Sequence, residues 1–341
     1  MPTSVGQWPK YRKNIAIEKL KPNKKLLAKP MINAENCNHL FAITQMNSTF
    51  LDTENKFYTH KGHFNAQNLY FFSFAFAALV LMPIYYFVFR GYEFDLFSYV
   101  IGFMFVFPFF IAYPLFFNYK PDNNNFTHFP IRFNRKNQRV YFLDMQGKFQ
   151  SGNWQDMKFC IVQPNSFQGD YEIWGFILNK ESQLIEHTVA IGPPVPSIEL
   201  LESFWGMICI YMAEGPEKLY PKDIKSLEND EYKIFSKVTF CNDIVGKKES
   251  REFSYYRVDI NSFGSKFFYY LRFLILESVF WKWGRVYAMW NCKVPMWPES
   301  ILKDCTIDKD DPYIVNADIN RHFHYDAKSR KVYIKDPDIE N

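Results

Sequence analysis

The chain has 341 residues, of which 48% are hydrophobic, 20% are aromatic and 22% are charged, and its formal net charge is +4. So large an apolar and aromatic content excludes an intrinsically disordered chain. The small net charge lacks the electrostatic signature of a nucleic-acid-binding protein, so we expect no nucleic acid among the partners.

Basic residues dominate the first segment. Residues 1–67 carry ten lysines and arginines against four acidic residues. This pattern predicts a basic N-terminal arm over 1–67 on the cytoplasmic side. The arm either attracts anionic lipid headgroups or is a solvated segment that fixes the orientation of the chain, and composition leaves both interpretations open.

Two long stretches without a formal charge follow, over residues 69–89 and 96–117. As helices they are about 31 and 33 Å long, which matches a hydrocarbon core of about 30 Å. A pair of buried core helices is the alternative, but such helices usually carry charge on one face. We therefore predict a transmembrane helical hairpin over 68–118. Lysines and arginines on both flanks predict that both termini are cytoplasmic.

Short runs of alternating polarity, separated by turns, begin after the second stretch. They are typical of an antiparallel β meander, arranged as a curled sheet or a small barrel. We expect Phe133 and Tyr141, in adjacent strands, to point into the core. The predicted strands are 130–134, 139–143, 148–150, 157–162, 171–178 and 184–191.

A helix is predicted after the meander. Ser197 is a suitable N-cap, the apolar residues that follow recur every three to four positions, and Gly215-Pro216 is a C-terminal stop. A meander closed by one helix resembles the plan of pleckstrin-homology-like domains. The sequence therefore predicts an α+β fold, with a β-rich cytoplasmic domain over 121–220.

Residues 221–341 are predicted to form a mixed, partly helical extension packed on that domain. Within it, 265–290 is apolar nearly all round but carries five charged residues, which makes it a poor membrane span. It either is a buried helix or lies at the membrane interface. Aromatic residues on several faces favour the buried helix. A short strand is expected at 331–335.

Motifs that carry chemistry are absent from the sequence. No nucleotide-binding, metalloprotease or nucleophile-elbow pattern is present. We therefore predict a protein that is not an enzyme, with no catalytic, cofactor-binding or metal-binding residues and no cofactor. His322 and His324 form an HxH pair, but the only further ligands nearby are Asp318 or Asp326, so a surface pair is favoured over a metal site.

Two further sets of residues receive structural interpretations. Glu214 and Glu217 flank the Gly-Pro stop, and a structural role is favoured over acid–base chemistry. The six cysteines contain no CxxC pair, which predicts free thiols.

The segment Thr127–Phe159 resembles the hallmark of a bacterial family that consists of a two-helix membrane anchor and a domain of unknown function. Met46–Thr53 resembles the family's segment before the first span, and Glu214–Glu217 recurs after the first helix. The residues that match the hallmark are Phe129, Pro130, Arg132, Phe133, Asn134, Arg135, Lys136, Arg139, Val140, Tyr141, Gly147 and Trp154.

That family is associated with type VI secretion effectors. The resemblance therefore implies an immunity protein of the bacterial inner membrane, with two spans, which binds and neutralises one cognate protein toxin. It implies no catalytic residues. The alternative is a membrane-tethered adaptor or lipid-sensing module, for which the lipid bilayer is the partner.

Overall fold

The computed structural model describes residues 13–20, 22–29, 33, 37, 40, 42–62, 65–66, 68–69, 72–73, 81, 84–85, 88, 125–164, 170–219, 278–314, 323–326 and 331–334. Contacts divide the chain into two compact units. The first unit contains Met1–His60, Phe126–Glu249 and Val294–Asn341, and the second contains Lys61–Asn125 and Ser250–Lys293.

The described strands all pair antiparallel. They are β1 (Lys24–Leu26), β2 (Ile43–Met46), β3 (Phe50–Thr53), β4 (Ile131–Asn134), β5 (Arg139–Leu143), β6 (Phe149–Asn153), β7 (Lys158–Val162), β8 (Tyr171–Leu178), β9 (Ile185–Val195), β10 (Phe323–Asp326) and β11 (Lys331–Ile334). The described helices are α1 (Lys56–His60), α2 (Ile198–Glu214), α3 (Pro216–Leu219), α4 (Ser278–Asn291) and α5 (Glu299–Asp304), with a 3-10 helix at Ile17–Leu20.

Two sheets form the first unit. The five-stranded sheet has the order β2-β3-β4-β5-β6, and the four-stranded sheet has the order β1-β7-β8-β9. Strands β1 to β3 come from the segment that the sequence predicted as a basic arm. Because β3 pairs with β4 and β1 pairs with β7, this part of the chain completes both sheets.

The core lies on the inner face of the five-stranded sheet, against α2. Ser197 caps α2 by accepting a hydrogen bond from the Leu200 N–H, and the helix ends at Gly215 with φ 96°. Trp154, Phe159 and Trp205 stack there, with ring centroids 4.5 to 5.3 Å apart. Phe133 meets Trp154 edge-on at 5.8 Å. Aromatic rings therefore join both sheets to the helix.

The outer face of the same sheet is covered by residues 294–308, which include α5. A second cluster there contains Phe50 and Tyr141 from the sheet and Ile301 and Cys305 from the covering segment. Strands β3 and β4, and all of β5 except Arg139, are thus buried on both faces.

The α+β assignment, the meander and helix α2 are confirmed. The single curled sheet or barrel is wrong, because the chain leaves the first sheet at β6 and enters a separate sheet at β7. Phe133 points into the main core as expected. Tyr141 is also buried but belongs to the outer cluster, since alternate residues of paired strands face opposite sides.

The predicted transmembrane hairpin requires correction. Within the described part of the chain, none of the helices combines the length and the apolar character needed to traverse a bilayer. The longest one with given bounds, α2, has 17 residues, and it packs in the core of the first unit. The predicted location, a two-span protein of the bacterial inner membrane, is not supported for the same reason. Of the predicted spans, 96–117 and most of 69–89 lie outside the described residues.

The second unit contains a close contact between α4 and the backbone at Gly62 and Ala66. A Cβ added at Gly284 in α4 would lie 2.5 Å from the Ala66 nitrogen, and one at Gly62 would clash with the Arg285 backbone. Glycine is needed at both positions because the two backbones touch. Ala288 and Met289, on the same side of α4, are fully buried.

Candidate functional site

A buried ion pair joins the hallmark segment to β3. Arg132 in β4 donates from Nε and Nη2 to the two carboxylate oxygens of Asp52 in β3, at 2.7 and 2.6 Å. Its guanidinium lies 3.7 Å from the centroid of Phe50 and 4.7 Å from that of Trp297. We call Asp52, Arg132, Phe50 and Trp297 the arginine cluster. It combines bidentate hydrogen bonding with cation–π stacking.

Burial determines the protonation behaviour of the cluster. Loss of water raises the pKa of the Asp52 carboxyl, and the neighbouring Arg132 guanidinium opposes that rise. For Arg132, burial acts to lower the pKa, but the charge and hydrogen bonding of Asp52, together with Cys305, raise the pKa overall. Both side chains are less than 10% exposed, so the arginine cluster holds strands together and is closed to a substrate.

Neighbouring polar groups attach the covering segment to the sheet. Tyr141 donates to the Asp304 carboxylate at 2.9 Å, and Asn134 donates to the Asp304 carbonyl at 2.7 Å. Burial and the bond to Asp304 raise the pKa of Tyr141 to about 12. Ser48 donates to Asp311 from both its backbone and its hydroxyl. Hallmark residues thus secure a segment about 170 residues further along the chain.

A second buried ion pair lies at the other sheet. Lys56 in α1 donates to both Glu172 oxygens, at 2.8 and 2.9 Å. The Trp174 indole donates to the same carboxylate at 2.7 Å. This carboxylate therefore accepts three strong hydrogen bonds, which suits a structural anchor between α1 and β8.

The basic turn of the hallmark makes structural contacts as well. Arg135 lies 3.7 Å from Glu217, and Lys136 bonds Asp308 at 2.9 Å. Glu217 carries this contact alone, since Glu214 is the exposed last residue of α2. The structure therefore brings Glu217 to the hallmark turn and does not assemble a carboxylate pair for acid–base work.

The HxH pair is described only in part. His324 lies in β10, in register with Tyr333 of β11, and His322 lies outside the described residues. Within the described ranges, no three histidine, cysteine or acidic residues gather as metal ligands.

Five of the six cysteines are described, and all five are free thiols, as the sequence predicted. Burial raises the pKa of Cys160 to about 12 and that of Cys37 to about 11. These thiols are protonated near neutral pH, so they are poor nucleophiles.

One described surface has the properties of a contact site. Trp283 and Tyr287, four residues apart on α4, are 62% and 54% exposed, whereas Arg285 and Ala288 are buried. We call Trp283 and Tyr287 the α4 surface. The same unit also exposes Leu81, Ile84 and Val88.

The sequence missed this site because 265–290 is apolar on nearly every side. Of this segment the structure describes 278–290, where one side of α4 is buried and the other is exposed; the interpretation of the whole segment stays a prediction. The i, i+4 spacing of Trp283 and Tyr287, which places both side chains on one side of a helix, was the available signal.

Comparison with known protein families identifies the family of this chain. The model of a family of unknown function, DUF6708, matches residues 108–309, and the protein therefore belongs to that family. Comparison with curated proteins gave no match, and comparison with solved structures gave none.

Proposed function

We propose that this protein is an immunity protein that binds and neutralises a cognate toxic effector of a type VI secretion system, and that the α4 surface is its main contact with the toxin. The observation that carries the proposal is the exposure of Trp283 and Tyr287 side by side on one helix. Tryptophan and tyrosine are enriched among the residues that dominate binding energy in protein interfaces.

Covering Trp283 and Tyr287 in an interface releases enough free energy for a binding hot spot. An aromatic side chain buries about 150–250 Å² in full. Since each of these two is a little more than half exposed, covering them removes about 100 Å² each from water, worth about 2–3 kcal/mol per residue.

The α4 surface is also held rigid before binding. The opposite side of α4 contacts backbone at Gly62 and Ala66 with no side chain between. Arg285 adds a hydrogen bond from Nη1 to the Lys61 carbonyl at 3.4 Å. Preorganisation of this kind lowers the entropy cost of association.

The resemblance of Thr127–Phe159 to a family associated with secretion effectors supports the choice of a toxin as partner. In this proposal the hallmark residues maintain the framework, because Arg132 and Trp154 are buried. The residues that contact the toxin then lie outside the hallmark segment, so that related proteins can bind different toxins through different surface residues.

The expectation that no nucleic acid is bound stays a prediction.

The test is protection in vivo. The toxin encoded beside this gene is co-expressed with the wild-type chain, with a Trp283→Ala, Tyr287→Ala double variant, and with Leu200→Ala, which truncates a partly exposed leucine of the first unit. We expect growth with the wild type and the Leu200 variant, and arrest with the double variant.

Two results would contradict the proposal. Arrest with folded, abundant wild-type protein rules out immunity against that toxin. Full protection by the double variant rules out the α4 surface as the contact. Thermal unfolding of the purified variants shows whether each one is folded.

A further inference from the structure

We draw no further inference here: the strongest candidate, the apolar helix side in the second unit on which Leu81, Ile84, Tyr85 and Val88 are exposed, carries none because nothing in the structure shows what covers it.

Discussion

At the scale of single residues, Arg132 explains why the hallmark segment contains an arginine within a strand. A buried guanidinium is stable only where its charge and its donors are both satisfied. Asp52 supplies the charge and two acceptors, and the rings of Phe50 and Trp297 both lie within cation–π distance of the guanidinium. A lysine has neither the fork nor the flat surface for these contacts.

The first prediction removes this arginine. Arg132→Ala leaves Asp52 buried without its partner, and losing one member of a buried ion pair costs about 3–5 kcal/mol. We expect the free energy of unfolding in urea to fall by that amount. Lys136→Ala breaks an exposed pair with Asp308 and should change stability by less than about 1 kcal/mol. Equal effects of the two variants would contradict the role given to Arg132.

A second prediction concerns pH. Burial, with a contribution from Lys13, lowers the pKa of His187, although Glu186 and Asp144 act in the opposite direction. The unfolded chain then takes up a proton at higher pH than the folded one, so stability falls as pH drops through the ordinary histidine pKa of about 6.5.

His187→Gln should flatten that part of the stability profile. The measurement is the melting temperature of both proteins at several pH values between 5 and 8. A wild-type profile that rises on acidification would show that the sign is wrong.

At the scale of elements, α4 depends on close backbone approach. Gly284→Ala places a methyl group 2.5 Å from the Ala66 nitrogen, and overpacking of this kind costs about 1–3 kcal/mol. Tyr287→Ala, on the exposed side of the same helix, should leave the melting temperature nearly unchanged. A Gly284→Ala variant as stable as the wild type would mean that this contact is not tight in solution.

Helix α2 and strands β4 to β9 were predictable because their signals are local. Ser197, the apolar spacing and Gly215 mark the bounds of α2, and polarity alternates along each strand. Strands β1 to β3 were missed because each has only three or four residues, too few for an alternating pattern to stand out. One of the two partners of β3 is the strand at 131–134, about 80 positions away, and no local pattern reveals that pairing.

Local sequence patterns also could not predict which hallmark residues are buried, or that Trp283 and Tyr287 form an exposed surface on α4. Alternation identified Phe133 as a core residue, but Tyr141 is buried by a segment from near residue 300. The length of an uncharged run was the criterion for the hairpin at 68–118. Length and composition show how much apolar surface a segment has to bury. Whether lipid or protein covers that surface depends on the whole fold.

At the scale of the whole molecule, the first unit requires its N-terminal segment. A fragment of residues 121–341 lacks β1, β2 and β3, so β4 loses one neighbour and Arg132 loses Asp52. We predict that this fragment does not fold alone, whereas the full chain does. Far-ultraviolet circular dichroism and a urea titration distinguish the two. A cooperative transition in the fragment would contradict this account of the sheet.

The central claim is that the α4 surface binds a toxin, and titration calorimetry of the purified toxin tests it most directly. Truncation of an interface hot spot costs at least about 2 kcal/mol, which corresponds to a thirtyfold or so weaker affinity per residue. We predict that the Trp283→Ala, Tyr287→Ala double variant binds at least about a hundredfold more weakly than the wild type, with Leu200→Ala unchanged. An undiminished affinity in a folded double variant would contradict the account.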